Sequence, residues 1–91
     1  MTPQEPERLR LDKWLWCARF YRTRELAAAA CEKGRIRIND FRVQKAGREV
    51  KLGDILTLPL ADKVLVIRVL ASAKRRGAAP EAQQLYEVVE V

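Results

Sequence analysis

Two short alternating runs, Ile36-Arg37-Ile38 and Phe41-Arg42-Val43, are separated only by Asn39-Asp40. Two residues that both tolerate positive φ predict a tight hairpin, and with it a register, the alternative for its opposed arginines being that they splay apart into solvent. Side chains alternate between faces, so Ile38 is set opposite Phe41 and Ile36 opposite Val43 on one side, with Arg37 opposite Arg42 on the other. The fold must therefore bury the aliphatic face of this hairpin and leave an arginine face open. Two cations about 5 Å apart repel by roughly 1 kcal/mol even in a water-like dielectric. With Arg35 beside them, the guanidiniums form a row suited to forking onto successive phosphates.

Upstream of the hairpin the period changes. Leu11, Trp14, Leu15 and Ala18 recur at the spacing of one helical face in a stretch without Pro or Gly, which predicts a helix over Leu11 to Arg19. Trp16 falls about 200° around that helix from Trp14, so the two indoles cannot share one core. It is left either to stack on a base or to pack against later strands. Thr23 then supplies an N-cap hydroxyl, Glu25 an acid in the first turn and Gly34 a left-handed stop, framing a second helix over Thr23 to Lys33. Its inward stripe is expected to be Leu26, Ala27, Ala30 and Cys31, small enough overall for another element to approach closely.

Downstream, Lys45 to Leu52 reads as a basic loop or irregular strand and Gly53-Asp54 as a turn. Ile55 to Leu60 and Lys63 to Leu70, rich in Val, Ile and Leu, predict two strands joined near Ala61-Asp62. Lys74 to Pro80 is a basic loop, Glu81 to Leu85 offers one helical turn, and Tyr86 to Val89 predicts a last strand. A chain of 91 residues has room for one core. The expected class is α+β: two N-terminal helices and a hairpin packed with a small, mostly antiparallel sheet. Residues 1–8, with Pro3, Pro6 and two acids, are expected to be a flexible N-terminus, and residues 9–91 a single domain. The core is expected from Leu11, Trp14, Leu15, Leu26, Ala27, Ala30, Ile36, Ile38, Phe41, Val43 and the strand Val64 to Leu70.

Charge is distributed unevenly. The net charge is +6, yet twelve bases face four acids between Arg8 and Arg48, while bases and acids balance from Glu49 to Val91. A merely solvated surface would mix its signs more evenly, so the first half is expected to meet a polyanion. The chain contains no histidine, which removes the commonest general base and metal ligand. Cys17 and Cys31 lie in apolar stretches without paired metal-site spacing and read as buried small hydrophobes, a bridge between two helices being the alternative. No cofactor, metal or catalytic residue is indicated. The longest aliphatic run, Val64 to Ile67, falls far short of the roughly 20 residues of a membrane span, and no export signal opens the chain. A cytoplasmic location is expected.

A second cationic group, Arg10, Lys13, Arg19, Arg22 and Arg24, frames the first helix and the start of the second. Arg22 and Arg24 flank Thr23 at a helix N-terminus, where free N–H groups and the dipole favour a phosphate. Asp12 and Glu25 are too few to neutralise the five bases. A helix-turn-helix reading meets an obstacle, because Ala27 to Ala30 place methyl groups where a recognition helix needs polar side chains. Backbone and shape recognition of folded RNA fits better.

These residues resemble the RNA-binding domain named after small-subunit ribosomal protein S-four, with its αL motif of two helices and a short hairpin, here at about residues 9–57. The resemblance rests on Arg10-Leu11-Asp12-Lys13 with Leu15 and Ala18, on Thr23-Arg24 opening an alanine-rich helix, on Gly34-Arg35-Ile36-Arg37-Ile38-Asn39, and on Val43 and Gly53-Asp54. Arg10 to Trp16, Ala18 to Arg24, Arg75-Arg76-Gly77, Pro80-Glu81-Ala82 and Leu85-Tyr86-Glu87 are similar to the fifteen-kilodalton ribosome-associated heat-shock protein family. Members of that family usually continue into a charged helical tail, whereas this sequence ends at Val91. In length it is closer to the small S-four-type factors of ribosome quality control.

The resemblance implies a non-catalytic protein that binds structured ribosomal RNA or tRNA, on large ribosomal subunits blocked by peptidyl-tRNA, in stress response or ribosome recycling. The expected contacts are Arg10, Lys13, Arg19, Arg22, Thr23, Arg24, Arg35, Arg37 and Arg42, presented by a monomer, with non-specific DNA binding as a further property. The alternatives are an RNA-binding fragment of an RNA-modifying enzyme such as a pseudouridine synthase, a duplex-DNA-binding module and a protein-interaction module.

Overall fold

The computed structural model describes residues 9–90, so the expected flexible segment 1–8 lies outside the described residues. The chain enters through β1 (Leu9–Arg10), which pairs antiparallel with β4 (Glu49–Val50). This pairing prepares the first helix, α1 (Leu11–Cys17), because the N–H groups of Leu11 and Asp12 donate to the carbonyls of Arg48 and Ala46 at 2.9 and 3.2 Å. Donors that a helix start leaves orphaned are thus satisfied by a loop nearly forty positions downstream.

α1 stops two residues short of the expected Arg19. Arg19 adopts φ +68°, its N–H donates to the Trp16 carbonyl at 3.1 Å, and the Phe20 N–H donates to the Leu15 carbonyl at 3.1 Å. Together they form a Schellman closure with arginine, rather than glycine, in the left-handed position. The second helix, α2 (Arg24–Glu32), begins as expected, with Thr23 Oγ1 accepting the Leu26 N–H at 3.1 Å. It closes by the same motif: Gly34 takes φ +72° and the Arg35 N–H donates to the Ala30 carbonyl at 3.3 Å.

The remaining strands form one antiparallel sheet in the order β3 (Phe41–Arg42), β2 (Arg37–Ile38), β5 (Ile55–Leu60), β6 (Lys63–Val69) and β7 (Tyr86–Glu90). The hairpin β2 (Arg37–Ile38) and β3 (Phe41–Arg42) has the expected register, Arg37 opposite Arg42 and Ile38 opposite Phe41. Of its two loop residues only Asn39 takes positive φ, at +58°. Asn39 also fastens the loop to the next strand, since its Oδ1 accepts the Ile55 N–H at 3.1 Å and its own N–H donates to the Ile55 carbonyl at 2.6 Å. β5 (Ile55–Leu60) and β6 (Lys63–Val69) pair along their length. Then α3 (Ala79–Ala82) and a 3-10 turn (Gln83–Leu85) lead into β7 (Tyr86–Glu90), the strand expected at the end.

The core is continuous from helices to sheet: Leu11, Trp14 and Leu15 of α1, Ala27 and Cys31 of α2, Ile36, Ile38 and Val43 of the hairpin region, and Leu56, Leu58, Ile67 and Val69 of the long strands. Four expected members are exposed instead. Leu26 is 52% exposed because α2 buries only the narrow stripe of Ala27 and Cys31. Phe41 is 73% exposed, at the tip of the edge strand β3 where nothing covers the inward face. Val64 and Leu70 lie at the two ends of the β6 segment and are also exposed.

Candidate nucleic-acid interface

Asp12 organises the cationic surface. It is 4% exposed and accepts from Arg10 Nε at Oδ1 (3.2 Å) and from Arg10 at Oδ2 (3.3 Å), and its Oδ2 also lies 3.5 Å from Arg24 Nε. Its Oδ1 further accepts the Lys13 backbone N–H at 2.7 Å. A buried carboxylate thus holds two arginines from different elements side by side, leaving roughly half of each side chain open to solvent (54% and 41%). The remaining donors of each planar fork can meet phosphate oxygens without first losing much freedom. Asp12 was read from sequence as a counter-ion among five bases; its role as the brace between Arg10 and Arg24 has no signal in the sequence, because Arg24 reaches it only through the packing of α2 on α1.

The cationic surface continues through the loop before β4. A Cβ on Gly47 would lie 3.4 Å from Arg10 Cζ, so the guanidinium rests against bare backbone there. Beside it opens a concavity of about 480 Å³ lined by Arg42, Val43, Gln44, Lys45, Gly47 and Arg48. A second, of about 390 Å³, is lined by Ile38, Asn39, Arg48, Glu49, Lys51 and Asp54. Lys45 and Arg48 were absent from the expected contacts; the available signal was the basic character of Lys45 to Leu52, and what was missing was the β1–β4 pairing that brings this loop beside Arg10.

The other expected contacts divide. Arg22, Arg35 and Arg37 are exposed and make no side-chain hydrogen bond or ion pair among the described residues. Arg42 is exposed, with its aliphatic stem lying over Gly34, where a Cβ would meet Arg42 Cδ at 3.0 Å. Thr23 is spent as the N-cap of α2, although its hydroxyl proton remains available for donation. Lys13 is half-buried on α1. Arg19 has a structural task as well, its Nε donating to the Gly77 carbonyl at 2.9 Å. Nearby, Arg76 donates from Nε to the Trp16 carbonyl at 3.0 Å and lies 5.8 Å from the Trp16 ring, so that indole packs against a later segment instead of standing open.

The two thiols are free and buried. Burial raises the Cys17 thiol, offset in part by the nearby Lys13, Arg24 and Arg76. Burial, aided by the carboxylates of Asp12 and Glu32, pushes Cys31 up to about 12. Both remain protonated at neutral pH and are suited neither to nucleophilic attack nor to metal binding. No group of three His, Cys, Asp or Glu side chains among the described residues could hold a metal, and no described helix is long and apolar enough to cross a membrane.

Two helices closed by Schellman turns, a tight hairpin and an antiparallel sheet define a small α+β domain that presents a braced pair of arginines beside a basic loop. The S4 domain family matches residues 9–56. The chain is 43% identical over 82 residues to the heat shock protein 15 homolog of Haemophilus influenzae, covering 90% of this chain and 62% of that protein. It is 40% identical over 80 residues to the RQC P-site tRNA stabilizing factor of Halalkalibacterium halodurans, covering 88% of this chain and 89% of that protein. A solved trimeric structure of Vibrio cholerae heat shock protein 15 superposes with a TM-score of 0.86 at 42% identity, over 91% of this chain and 83% of that one. The chain therefore belongs to the S4-domain family, within its heat shock protein 15 group. It spans about three fifths of the length of the curated heat shock protein 15 relatives.

Proposed function

We propose that this chain is a non-catalytic RNA-binding protein of ribosome rescue, holding structured ribosomal RNA or tRNA on large ribosomal subunits blocked by peptidyl-tRNA. The observation that carries the reading is the Asp12-braced pair Arg10 and Arg24, which continues into the concavity of Arg42, Lys45 and Arg48. Arg22, Arg35 and Arg37 extend the same contact, Lys13 and Thr23 contribute at its helical margin, and Arg19 contributes from the turn it stabilises. The name of the relatives called RQC P-site tRNA stabilizing factor supports tRNA association. The reading places the protein in the cytoplasm, acting as a monomer, with weak non-specific affinity for DNA. The trimer described for the Vibrio cholerae relative makes the mass in solution worth measuring beside it.

Recognition here is by phosphate, because the exposed face offers guanidiniums and few base-reading amides. If about six to eight phosphates are neutralised, log K falls against log salt with a slope of roughly −4 to −7. Filter-binding titrations against folded RNA over a range of salt, and against folded RNA, duplex DNA and an acidic polypeptide at one salt concentration, test this. A slope shallower than about −2, or equal affinity for all three, overturns it. Co-sedimentation with free large subunits, rather than with whole ribosomes alone, tests the ribosomal assignment.

A further inference from the structure

Of the six aromatic side chains, five are wholly or partly buried, and Phe41 alone stands 73% exposed. Trp14 donates its indole N–H to the Ala71 carbonyl, Trp16 lies under Arg76, and Phe20 contacts both Trp14 and Tyr86. Tyr21 packs against the core. Phe41 makes no such ring contact among the described residues. Val43, two residues along and so on the same face, lines the concavity of Arg42, Lys45 and Arg48. Ile38, paired with Phe41 across the strands, lines the concavity that Arg48 shares with Lys51. Its neighbours on that face thus border two open hollows that share Arg48, the first with basic charges only and the second with Arg48 and Lys51 balanced by Glu49 and Asp54.

An isolated exposed aliphatic needs no explanation, but a flat ring on a hairpin whose chain runs on into a cationic hollow has a specific chemistry. Grooves that follow a nucleic-acid backbone use aromatic faces as platforms on which unpaired bases stack. In a continuous duplex the bases are already stacked, so such a platform gains nothing from a fully paired ligand. We infer that Phe41 takes an unstacked base, so that the RNA recognised carries an unpaired nucleotide, in a loop or a bulge, beside phosphates held at the hollow of Lys45 and Arg48.

This rests on the RNA-binding reading, and the experiment separates the two. Wild type, Phe41→Ala, Phe41→Leu and Phe41→Trp are titrated with a stem-loop RNA and with a fully paired RNA of equal length, each over a range of salt. Phe41→Ala is expected to lose about five- to a hundredfold in affinity for the stem-loop, with little change on the paired RNA and an unchanged salt slope. Phe41→Trp should retain wild-type affinity, and Phe41→Leu should not. Equal loss on both RNAs, no loss on either, or full rescue by leucine overturns the stacking assignment while RNA binding stands. Loss of RNA binding by the wild type itself overturns both. The ring is outside the core, so the variants keep the thermal midpoint of wild type; a midpoint lowered by many degrees also overturns the assignment, since the ring would then be structural.

Discussion

At the scale of single residues, Asp12 separates cations that are held from cations that are loose. Arg24 is tied to it and Arg22 is not, although the two flank the same threonine. Arg22→Ala should therefore weaken RNA binding by about 1.5 to 3 kcal/mol, the value of a charge-assisted contact, and leave the melting temperature alone. Arg24→Ala should cost binding and some stability together, because it leaves a buried carboxylate with one partner fewer. Asp12→Asn should destabilise the domain by about 1 to 2 kcal/mol in a denaturant titration, a figure reduced because both arginines are half open to screening solvent. It should also lower RNA affinity through two arginines that it does not replace. Unchanged affinity in Asp12→Asn would show that Arg10 and Arg24 need no brace.

At the scale of elements, the hairpin sets repulsion against packing. Arg37 faces Arg42 across the strands, while the Arg42 stem covers Gly34. Arg42→Met keeps the stem and removes the charge, so the free protein should be as stable as wild type or more stable by a few tenths of a kcal/mol, while RNA affinity falls. Chemical denaturation and filter binding on the same sample check both halves. Gly34→Ala should cost about 1 to 2 kcal/mol, since a left-handed φ is combined with a Cβ pressed on that stem.

These elements also show how far the sequence could be read. The register of the hairpin, the cap of α2 and the long strands were legible because each is fixed by neighbours a few residues away. β1 and β4 were not, since two-residue strands carry no period, and Leu9 and Val50 mark their pairing only once the chain is folded. Phe41 was misplaced for a different reason: alternation tells which face a side chain takes, and only topology tells whether that face is covered. In the site, the cations were legible as an excess of charge, whereas the brace at Asp12 and the recruitment of Lys45 and Arg48 depend on contacts between distant segments.

At the scale of the whole molecule, the buried thiols tie stability to alkaline pH. Cys31 holds its proton up to about 12 in the folded state, above the ordinary thiol value of 9.0. Above pH 9 the unfolded chain loses that proton first, so the contribution is complete below pH 9 and is lost as pH rises towards 12. The melting-temperature advantage of wild type over Cys31→Ala should be constant below pH 9 and shrink as pH rises towards 12. At neutral pH neither Cys17 nor Cys31 should react with a thiol reagent faster than the chain unfolds.

One set of contacts bears on the order in which the molecule is made. Helix α1 is held by the segment 71–77 through Trp14 to Ala71, Arg19 to Gly77 and Arg76 to Trp16, each spanning nearly sixty residues of chain. Contacts at such separation form late, because the intervening loop must close before they contribute. During synthesis the hairpin and α2 therefore leave the ribosome before the segment that locks α1 exists, and the cationic face is assembled loosely before it is made rigid. Pulse-labelled amide exchange during refolding should find the amides around Asn39 protected early, and those of α1 only when β7 has joined the sheet.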